Sequence, residues 1–522
     1  MTTKGAKSER NRAVAPVSLA ANFRGRVESS ALGPVLVEEL KPCPDPWQVF
    51  DSIACLSRPI FLDSALTHPS VGRYSFITAD PFDWLWSRGR ETWQNGAVVS
   101  SMHSDPLSLL AEELSRYRAA PVDGLPPFQG GAAGLFGYDL CHHLEKLPGP
   151  RFDDFQVPDL AVGFYDWVIS FDHASGRAWL ISTGFPETDL AGRRRRAAKQ
   201  MEAIKRRLSN IAEAERGPLA GASSDPLPWE PALSHAVTGL PGLLSNFERE
   251  DYLKAVERII EYLRAGDCFQ VNLAQRLLYP ARISAVDLYK RLRAGNPSPF
   301  ACYFDLGEFQ IASASPERFL RCERGRVQTR PIKGTRPRGR TPAEDRALVE
   351  ELGASVKDRA ENVMIVDLLR NDLGRVCRYG SIDVPTICGV ETYPFVHHLV
   401  SEVCGRLRPG LGPIDLLRAA FPGGSVTGAP KIRAMEIIAE LEPTARGPYC
   451  GSLGYVGFDG TMDTNILIRT FTIGRGWVQF PVGGGIVADS IPELEYEETW
   501  HKAAGLLQAL NLDLSLTDAR PA

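Results

Sequence analysis

The sequence contains one acid and one lysine that two short motifs place close to a turn. Glu317 lies in Ser315-Pro-Glu-Arg-Phe319, and Lys333 follows sixteen residues later in Pro331-Ile-Lys-Gly-Thr335. Two strands joined by a hairpin would bring the two side chains together. A carboxyl group can donate a proton as a general acid, and a neutral amine can attack carbon as a nucleophile. Each residue alone is a weak signal, since a Glu or Lys beside a turn is usually a solvated charge.

Two pairs of carboxylates could hold a hard metal ion. Asp358 and Glu361 are three residues apart in one helical pattern, as are Glu495 and Glu498 in the last one. This spacing puts both members of a pair on the same helix face, where a cation would relieve their repulsion. Mg²⁺ in proteins is usually held by one or two carboxylates beside an anionic substrate. The alternative is that both pairs lie on solvated helix faces.

Two glycine-rich segments could present backbone amides to an anion. They are Phe421-Pro-Gly-Gly-Ser-Val-Thr-Gly-Ala-Pro-Lys431 and Pro481-Val-Gly-Gly-Gly-Ile-Val487. In the first, Ala429 and Pro430 intervene before Lys431 and no Ser or Thr follows the lysine, so the pattern of a phosphate loop fails. The missing Cβ atoms would still permit close approach of a carboxylate. Simple tight turns are the alternative for both segments.

Composition and charge exclude several classes of protein. The chain has 522 residues, 44% of them hydrophobic and 23% charged, with a formal net charge of -4. Disordered and fibrous chains are excluded, and nothing global favours binding to nucleic acid or to an anionic membrane. The longest stretch without charged residues, 231–247, contains Pro241 and His235, so no transmembrane helix is predicted. The ten cysteines lack a C-x-x-C pair, which favours reduced thiols and a cytoplasmic protein.

The hydrophobic pattern divides the chain into four parts. We expect a flexible N-terminal tail over 1–34, a β-rich domain over 35–190, a basic helix and linker over 191–245, and a second, longer domain over 246–515. Apolar residues at helical spacing predict helices at 252–264, with Gly266 as the stop, at 360–373 and at 492–510. The middle helix shows one apolar stripe, formed by Val363, Val366, Leu369 and Leu373.

Seven motifs, taken together, resemble the chorismate-utilising enzymes. In chain order they are Gly266-Asp-Cys-Phe-Gln-Val-Asn-Leu273, Ser315-Pro-Glu-Arg-Phe319, Pro331-Ile-Lys-Gly-Thr335, Lys357-Asp-Arg-Ala-Glu-Asn362, His397-His-Leu399, Pro422-Gly-Gly-Ser-Val-Thr-Gly-Ala-Pro-Lys431 and Gly483-Gly-Gly-Ile-Val-Ala-Asp489. The resemblance covers about 247–510, and a weaker likeness over 127–138 extends it into the N-terminal half. It implies an α+β fold of two facing antiparallel β-sheets wrapped by helices, like anthranilate synthase component I. Chorismate and Mg²⁺ would bind in a cleft of the C-terminal portion.

The resemblance also implies a role for each matching residue. Glu317, Lys333 and His398 would act in catalysis, with His398 beside the ring of the substrate. The substrate contacts would be Gly334, Thr335, Ser425, Tyr449, Arg469, Gly483, Gly484, Gly485 and Lys502. The metal residues would be Glu361 and Glu498, with Asp358 and Glu495 as the further carboxylates. The ion would hold the ring carboxylate, and Tyr449 and Arg469 would hold the enolpyruvyl carboxylate, which suits the two-pronged guanidinium.

Two positions distinguish the branches of this family. Water-using relatives carry a water-activating lysine where this sequence has Gln270, and an amide cannot act as that base. Ammonia-using anthranilate synthases have a small residue where this chain has Lys333, whereas Pro331-Ile-Lys-Gly-Thr335 is the version found in the branch that aminates C4. The resemblance therefore implies conversion of chorismate and ammonia to 4-amino-4-deoxychorismate, the precursor of 4-aminobenzoate for folate. The alternatives are anthranilate synthase component I chemistry, with attack at C2 and loss of pyruvate, and a non-catalytic chorismate-binding subunit.

The source of ammonia points to a partner. Class I glutaminases carry their cysteine in a G-x-C-x-G elbow, and none of the ten cysteines of this sequence has that context. The resemblance therefore implies a separate glutamine amidotransferase subunit, with free ammonia as the other source.

Some relatives hold tryptophan in a pocket of the N-terminal half. The equivalent stretches of this chain supply Ser64, Arg73, Tyr74, Pro299, Phe300 and Ala301. Asp63 and Ala65 depart from the usual Glu-Ser pattern, so the sequence leaves tryptophan binding open.

Overall fold

The computed structural model describes residues 26–30, 33–68, 71–100, 105–209 and 229–512. Within these ranges the chain forms eleven α-helices and 26 β-strands. The helices are α1 Pro46–Ile53, α2 Pro106–Arg116, α3 Cys141–Leu144, α4 Leu190–Ser209, α5 Arg249–Ala265, α6 Ala285–Gly295, α7 Pro342–Ala354, α8 Val356–Gly374, α9 Pro413–Ala420, α10 Lys431–Leu441 and α11 Pro492–Ala509.

The strands run through both halves of the chain. They are β1 Arg26–Ser30, β2 Gly33–Leu40, β3 Ile60–Asp63, β4 Tyr74–Thr78, β5 Asp83–Arg88, β6 Glu91–Gln94, β7 Ala97–Ser100, β8 Gly131–Phe136, β9 Leu160–Tyr165, β10 Trp167–Asp172, β11 Arg177–Ser182, β12 His235–Ala236 and β13 Leu244–Ser245 in the first half. The second half supplies β14 Gln270–Pro280, β15 Phe300–Asp305, β16 Gln310–Ser315, β17 Arg318–Glu323, β18 Arg326–Arg330, β19 Ile332–Pro337, β20 Asp383–Thr392, β21 Val396–Arg406, β22 Gly428–Ala429, β23 Ser452–Gly457, β24 Met462–Asn465, β25 Thr470–Gly474 and β26 Trp477–Ile486.

These strands form two antiparallel sheets, as the resemblance implies. The first sheet has 14 strands in the order β1-β2-β11-β10-β4-β3-β15-β16-β25-β26-β14-β13-β12, with β22 beside β14. The second has 12 strands in the order β19-β21-β18-β17-β24-β23-β8-β9-β5-β6-β7, with β20 beside β21. The predicted α+β fold of two antiparallel sheets wrapped by helices is confirmed.

The two sheets face each other across one apolar core, and helices cover their outer faces. Strand alternation shows this arrangement in β8, where Leu135 packs between the sheets and Phe136 packs outward against the helices of the second sheet. Helices α2, α8 and α9 cover that sheet. Helices α1, α4, α6 and α11 cover the first sheet, and α5 and α10 pack on β14 and β26.

Both sheets contain strands from both halves of the chain. In the first sheet β3 pairs with β15, so that Asp63 lies opposite Ala301. In the second sheet β8 pairs with β23, so that Phe136 lies opposite Ser452. The expected domains 35–190 and 246–515 therefore share their hydrogen-bonded sheets and their central core.

The local patterns agree with the structure except at three places. Helix α5 ends at Gly266 with φ +88°, as predicted. In α8, however, Val363 is exposed and Asn362 is buried in its place, because the Asn362 amide donates to Leu399 O at 3.2 Å across the interface with β21. The alternating pattern of the sequence near 466–473 predicts a strand there, but β25 begins only at Thr470, because Arg469 has the left-handed φ of 51°.

The third difference lies at the N-terminus, where ordered structure begins inside the expected tail. Strand β1 occupies 26–30 and pairs with β2, which starts at Gly33. Residues 1–25 and 31–32 lie outside the described ranges, as do 210–228 of the expected linker. The predicted basic helix is α4, which buries Met201, Ile204 and Leu208.

Two global expectations concern membranes and thiols. In the described ranges no helix has both the length and the apolar character that crossing a bilayer requires. The ten cysteines all fall within those ranges, and all are free thiols.

The shared sheets predict that the second half does not fold alone. We expect residues 246–515, expressed as a fragment, to lack a cooperative thermal transition, because β15 and β23 would lose their neighbours β3 and β8 and the core between the sheets would open. Circular dichroism during heating measures this, with the full chain as the control. A sharp transition of the isolated fragment would contradict the prediction.

Candidate active site

A cavity of about 810 Å³ collects almost all of the predicted site residues. All the residues expected in catalysis, substrate binding and metal ligation line this active-site cavity, except Gly484, whose neighbours Gly483 and Gly485 line it. The volume suits a small organic ligand. Residues spread over nearly 190 positions of the sequence, from Glu317 to Lys502, are therefore brought to one place.

The strands around the hairpin position the acid and the lysine. Strands β17 and β18 form the predicted hairpin. Glu317 directly precedes β17, and Lys333 lies one strand beyond the hairpin, in β19. Strand β21 separates β18 from β19 in the sheet, and the backbone N–H of Ile466 donates to Glu317 O at 3.1 Å. The lysine is close enough for its charge to act on the carboxyl group.

Glu317 has the environment of a proton donor. Its side chain is buried, and the Ser425 hydroxyl donates to Glu317 Oε1 at 2.7 Å. Burial raises the pKa of Glu317 to about 7, although the hydrogen bond from Ser425 and the charge of Lys333 lower it in part. The carboxyl group can therefore hold a proton near neutral pH and release it within the cavity. Ser425, predicted as a substrate contact, also lies on the acid.

His398 is a neutral side chain in this cavity. It is buried, and its Nδ1 shares a hydrogen bond of 2.9 Å with Thr335 Oγ1. Burial, together with the nearby Arg469 and His397, lowers the pKa of His398 to about 3. The neutral ring can accept or donate a hydrogen bond, but it brings no positive charge at neutral pH.

Arg469 and Tyr449 lie where they could bind a carboxylate. The carbonyl of Arg469 accepts from the Ala314 N–H at 3.0 Å, which fixes the irregular segment before β25. Burial lowers the pKa of Arg469, although the guanidinium remains a cation at neutral pH. Burial also raises the pKa of Tyr449, so its hydroxyl stays protonated and able to donate.

The two carboxylates of α11 differ in their environment. Glu495 is buried and accepts from Ser490 Oγ at 2.6 Å, and burial raises its pKa. Partial burial also raises the pKa of Glu498, but the charges of Lys502, Lys357 and Lys333 outweigh this, so its net pKa is lowered. Lys502 Nζ lies 2.6 Å from Glu498 Oε1. Glu498 is therefore the member of the pair that ionises more readily.

Gly484, the middle glycine of the second segment, does not line the cavity but lies beside three charged groups of α11. A Cβ atom at this position would lie 3.4 Å from Glu495 Oε2 and 3.6 Å from both Glu498 Oε1 and Lys502 Nζ. These are ordinary van der Waals distances, so the backbone of β26 at Gly484 lies directly beside the three charged groups of α11.

The carboxylates fit a metal site that a ligand completes. Glu361 on α8 and Glu498 on α11 supply hard oxygen donors to one cavity, as Mg²⁺ prefers. Asp358 is instead paired with Arg336 at 3.2 Å. In the described part of the chain, no group of three or more His, Cys, Asp or Glu side chains is arranged to hold a metal ion. A site here would thus consist of two carboxylates plus oxygen atoms of substrate and water.

Sequence reasoning missed Lys357 and the residues that support the site. Lys357 lines the cavity beside Asp358, and its charge lowers the pKa of Glu498. Lys357 begins the motif Lys357-Asp-Arg-Ala-Glu-Asn362 and directly precedes Asp358, a predicted metal residue, so the sequence could have indicated it. The Glu442–Arg446 ion pair, which holds the strands and loops of the cavity, gave no comparable signal.

A second cavity, of about 280 Å³, is lined by residues from both halves of the chain. The six residues predicted for the tryptophan pocket, Ser64, Arg73, Tyr74, Pro299, Phe300 and Ala301, all line it. Asp63, which departs from the usual pattern, is buried and binds Arg293 Nε at 2.5 Å and the Tyr289 hydroxyl at 3.1 Å. The six residues therefore line one cavity, and tryptophan binding there stays a prediction.

Three kinds of comparison relate the chain to known proteins. The family model described as chorismate binding enzyme matches residues 70–508. Aminodeoxychorismate synthase component 1 of Klebsiella aerogenes is 42% identical over 86% of this chain and 93% of its own length. Anthranilate synthase component 1 of Thermus thermophilus is 45% identical over 80% and 85%. The crystal structure of anthranilate synthase component I from Streptococcus pneumoniae superposes with a TM-score of 0.67 at 33% identity, covering 84% of this chain and 92% of that one.

The raised pKa of Glu317 predicts a pH-dependent gain in stability when its charge is removed. We expect Glu317→Gln to unfold at a higher temperature than wild type at pH 8, because the folded wild type must then hold a buried carboxylate. Below the ordinary pKa of glutamate, the carboxyl group is protonated in both the folded and the unfolded chain, and the fold keeps its full stability. As pH rises from there to about 7, the unfolded chain loses this proton while the folded chain holds it, so the stability of the folded wild type falls. The cost at pH 8 is on the order of 3 kcal/mol.

Thermal unfolding of both proteins between pH 5 and pH 8 measures this difference, which should shrink towards pH 5. The exposed Glu308 offers a matched control, since Glu308→Gln should show no such trend. A constant difference across the range would mean that Glu317 is already ionised at pH 5.

Proposed function

The chain belongs to the chorismate binding enzyme family, and from this premise we propose that it converts chorismate and ammonia to 4-amino-4-deoxychorismate. One observation carries the proposal. The cavity is lined both by Glu317, an acid whose pKa burial raises to about 7, and by Lys333, an amine on β19. An acid and a nucleophile facing one cavity are what the replacement of a hydroxyl group requires.

The charges of the cavity suit a substrate with two carboxylates. Arg469 and Tyr449 would hold the enolpyruvyl carboxylate through charged and neutral hydrogen bonds. The glycines of β26, Gly483 and Gly485, would let the substrate approach the backbone. His398 would pack beside the ring as a neutral group, which avoids a competing positive charge.

We propose that Glu361 and Glu498 would hold Mg²⁺ together with the ring carboxylate. When bound, the ion would neutralise that carboxylate and orient the ring. Lys502 already offsets the charge of Glu498, so the lysine would have to share that carboxylate with the ion.

The first step joins the substrate to Lys333. The amine attacks C2 of the ring, the C1–C2 double bond moves to C1–C6, the C5–C6 double bond moves to C4–C5, and the C4–O bond breaks with its electron pair on oxygen. Glu317 gives its proton to the departing hydroxyl group, so water leaves and a carboxylate remains. The nitrogen of Lys333 becomes a secondary ammonium bound to C2.

The second step releases the lysine. Ammonia attacks C4, both ring double bonds shift back to C5–C6 and C1–C2, and the C2–N bond breaks, so that Lys333 departs as a neutral amine. The new ammonium group at C4 gives a proton back to Glu317. The sum is chorismate plus ammonia giving aminodeoxychorismate plus water, with every protein group restored.

Two observations bear on the alternatives. Gln270 is fully buried against Gly485, whose Cβ would lie 2.6 Å from its Nε2, and an amide there cannot deprotonate water. The similarity to anthranilate synthases is as high as that to aminodeoxychorismate synthases. Lys333 in the cavity is the feature that favours C4 amination over direct attack by ammonia at C2.

The ammonia would come from a glutamine amidotransferase partner. The similar enzymes are named as a first component, which supports a second one. The sequence lacks the cysteine elbow of class I glutaminases, so glutamine hydrolysis is assigned to that partner. A cytoplasmic location fits the free thiols of the chain.

The function predicts ammonium-dependent chemistry that Lys333 makes possible. The purified chain with chorismate, Mg²⁺ and ammonium should give aminodeoxychorismate, identified by mass, and glutamine alone should give no amino product. Lys333→Ala should lower this rate by roughly three orders of magnitude or more, because a covalent route is lost. Chorismate binding should persist, since Arg469 and Tyr449 are unchanged.

Intact-protein mass spectrometry provides the direct check. Incubation with chorismate without ammonium should add mass to the peptide that contains Lys333 in wild type and not in the alanine variant. No adduct, together with near-normal product from Lys333→Ala, would overturn the covalent route. Anthranilate as the sole product of wild type would instead favour the second candidate function.

The metal proposal predicts a shared phenotype for two carboxylates on different helices. Glu361→Gln and Glu498→Gln should each lose most of their turnover at low Mg²⁺ and recover part of it at high Mg²⁺, because one of two anionic ligands is lost. Rates measured against Mg²⁺ concentration test this. The neighbouring Glu497→Gln is the matched control on α11, and wild-type Mg²⁺ dependence in both ligand variants would remove them from the metal site.

A further inference from the structure

Lys431, the lysine that ends the first glycine-rich segment, faces inward. We call residues 421–430 the glycine loop; it begins directly after α9 and ends directly before Lys431, the first residue of α10. Lys431 Nζ donates to Ala420 O, the last carbonyl of α9, at 2.6 Å. It also donates to Asp372 Oδ2 at 2.7 Å. The side chain directly after the loop therefore binds the carbonyl group directly before it, and this hydrogen bond joins the two ends of the loop.

The ion pair of Lys431 is internal to the fold. The Lys431 side chain is 11% exposed and that of Asp372 is 6% exposed. Burial raises the pKa of Asp372 and lowers that of Lys431, so each ionised group depends on the other. The ammonium group is thus committed to the protein, in contrast to the lysine of a phosphate loop, which is presented to a ligand.

Asp372 connects the closed loop to α8, the helix that carries Glu361. Between its two ends the glycine loop touches this helix again, because a Cβ at Gly424 would lie 2.6 Å from Leu368 Cδ2. On its other side, a Cβ at Gly423 would lie 2.5 Å from Ile466 Cδ1. The loop is wedged between α8 and the segment that follows β24.

The next residue of the wedged loop is Ser425, whose hydroxyl donates to Glu317 at 2.7 Å. A hydroxyl group can keep that distance only if the backbone of the loop keeps its place, since a hydrogen bond weakens steeply over a few tenths of an ångström. The lysine lies six residues from Ser425 along the chain and lines no part of the active-site cavity.

We propose that Lys431 is a positioning residue, which fixes the glycine loop to α8 and thereby holds Ser425 on the carboxyl group of Glu317. The proposal rests on the proposed function, because it assigns Glu317 the role of the acid. Lys431 contacts neither substrate nor reacting atoms; it acts only through Ser425. The positive charge also suits the C-terminal end of α9, where carbonyl groups lack helical partners.

A double-mutant cycle tests the coupling. Ser425→Ala and Lys431→Met should each lower kcat about 10-fold, as loss of one hydrogen bond to a catalytic carboxyl group does. The double variant should also be lowered about 10-fold, rather than the about 100-fold of independent effects. KM for chorismate should change little in Lys431→Met, because Lys431 lines no part of the cavity and Arg469 and Tyr449 lie on other segments. The exposed Lys254, as Lys254→Met, is the matched control and should keep wild-type kcat.

A variant that lacks both charges distinguishes loss of positioning from simple misfolding. Lys431→Met alone leaves Asp372 buried without a counter-ion, whereas Asp372→Asn together with Lys431→Met removes both charges. This pair variant should unfold within a few degrees of wild type and still show the about 10-fold loss in kcat. Recovery of wild-type kcat in the neutral pair would overturn the proposal, because Lys431 would then only compensate the charge of Asp372. Independent, additive effects in the cycle would overturn it as well.

The measurement is separable from the proposed function. The cycle is followed on whichever product wild type makes from chorismate and ammonium, since protonation of the departing C4 hydroxyl is needed for anthranilate too. Anthranilate in place of aminodeoxychorismate would therefore refute C4 amination and leave the coupling of Lys431 and Ser425 measurable.

Discussion

A buried ion pair between Glu442 and Arg446 joins the elements around the active-site cavity. Arg446 binds both oxygens of Glu442, at 2.6 and 2.8 Å, and also donates to Val426 O in the glycine loop and to Asn272 O in β14, each at 3.0 Å. Glu442 in turn accepts from the Ala274 N–H at 2.8 Å. Loss of one partner of such a pair costs about 3–5 kcal/mol, because the other charge is left buried. Tyr449 follows three residues later, so the substrate-facing segments depend on this pair.

The environment of each carboxyl group assigns its chemistry. Glu317 is buried, and burial outweighs the hydrogen bond from Ser425 and the charge of Lys333, so its pKa is raised to about 7. Glu498 faces three ammonium groups, and its pKa is lowered. The same functional group is therefore an acid at one wall of the cavity and an anion at the other. The fold places the two groups on different walls of the cavity, because Glu317 precedes a strand of the second sheet and Glu498 lies on a helix that covers the first sheet.

The sequence predicted what depends on residue type and local spacing. Glu317, Lys333 and the glycines stood in ordered motifs, and Gly266 correctly marked the end of α5. It did not predict what depends on distant partners. Val363 fits an apolar stripe by spacing, yet the polar contact of Asn362 with β21 rotates the buried face of α8. The roles of Asp372 and Lys431 were equally hidden, because an ion pair across 59 positions has no local pattern.

The exchange of strands between the two halves has a consequence for synthesis on the ribosome. Strand β8 is complete at Phe136, but its neighbour β23 ends only at Gly457, so 321 residues separate the two ends. At about 5–20 residues per second, translation leaves this edge of β8 open for roughly 16–64 s. Unpaired strand edges of this kind promote association of nascent chains. Closure of the second sheet is thus a late event of synthesis, which has to wait for strands of the second half of the chain.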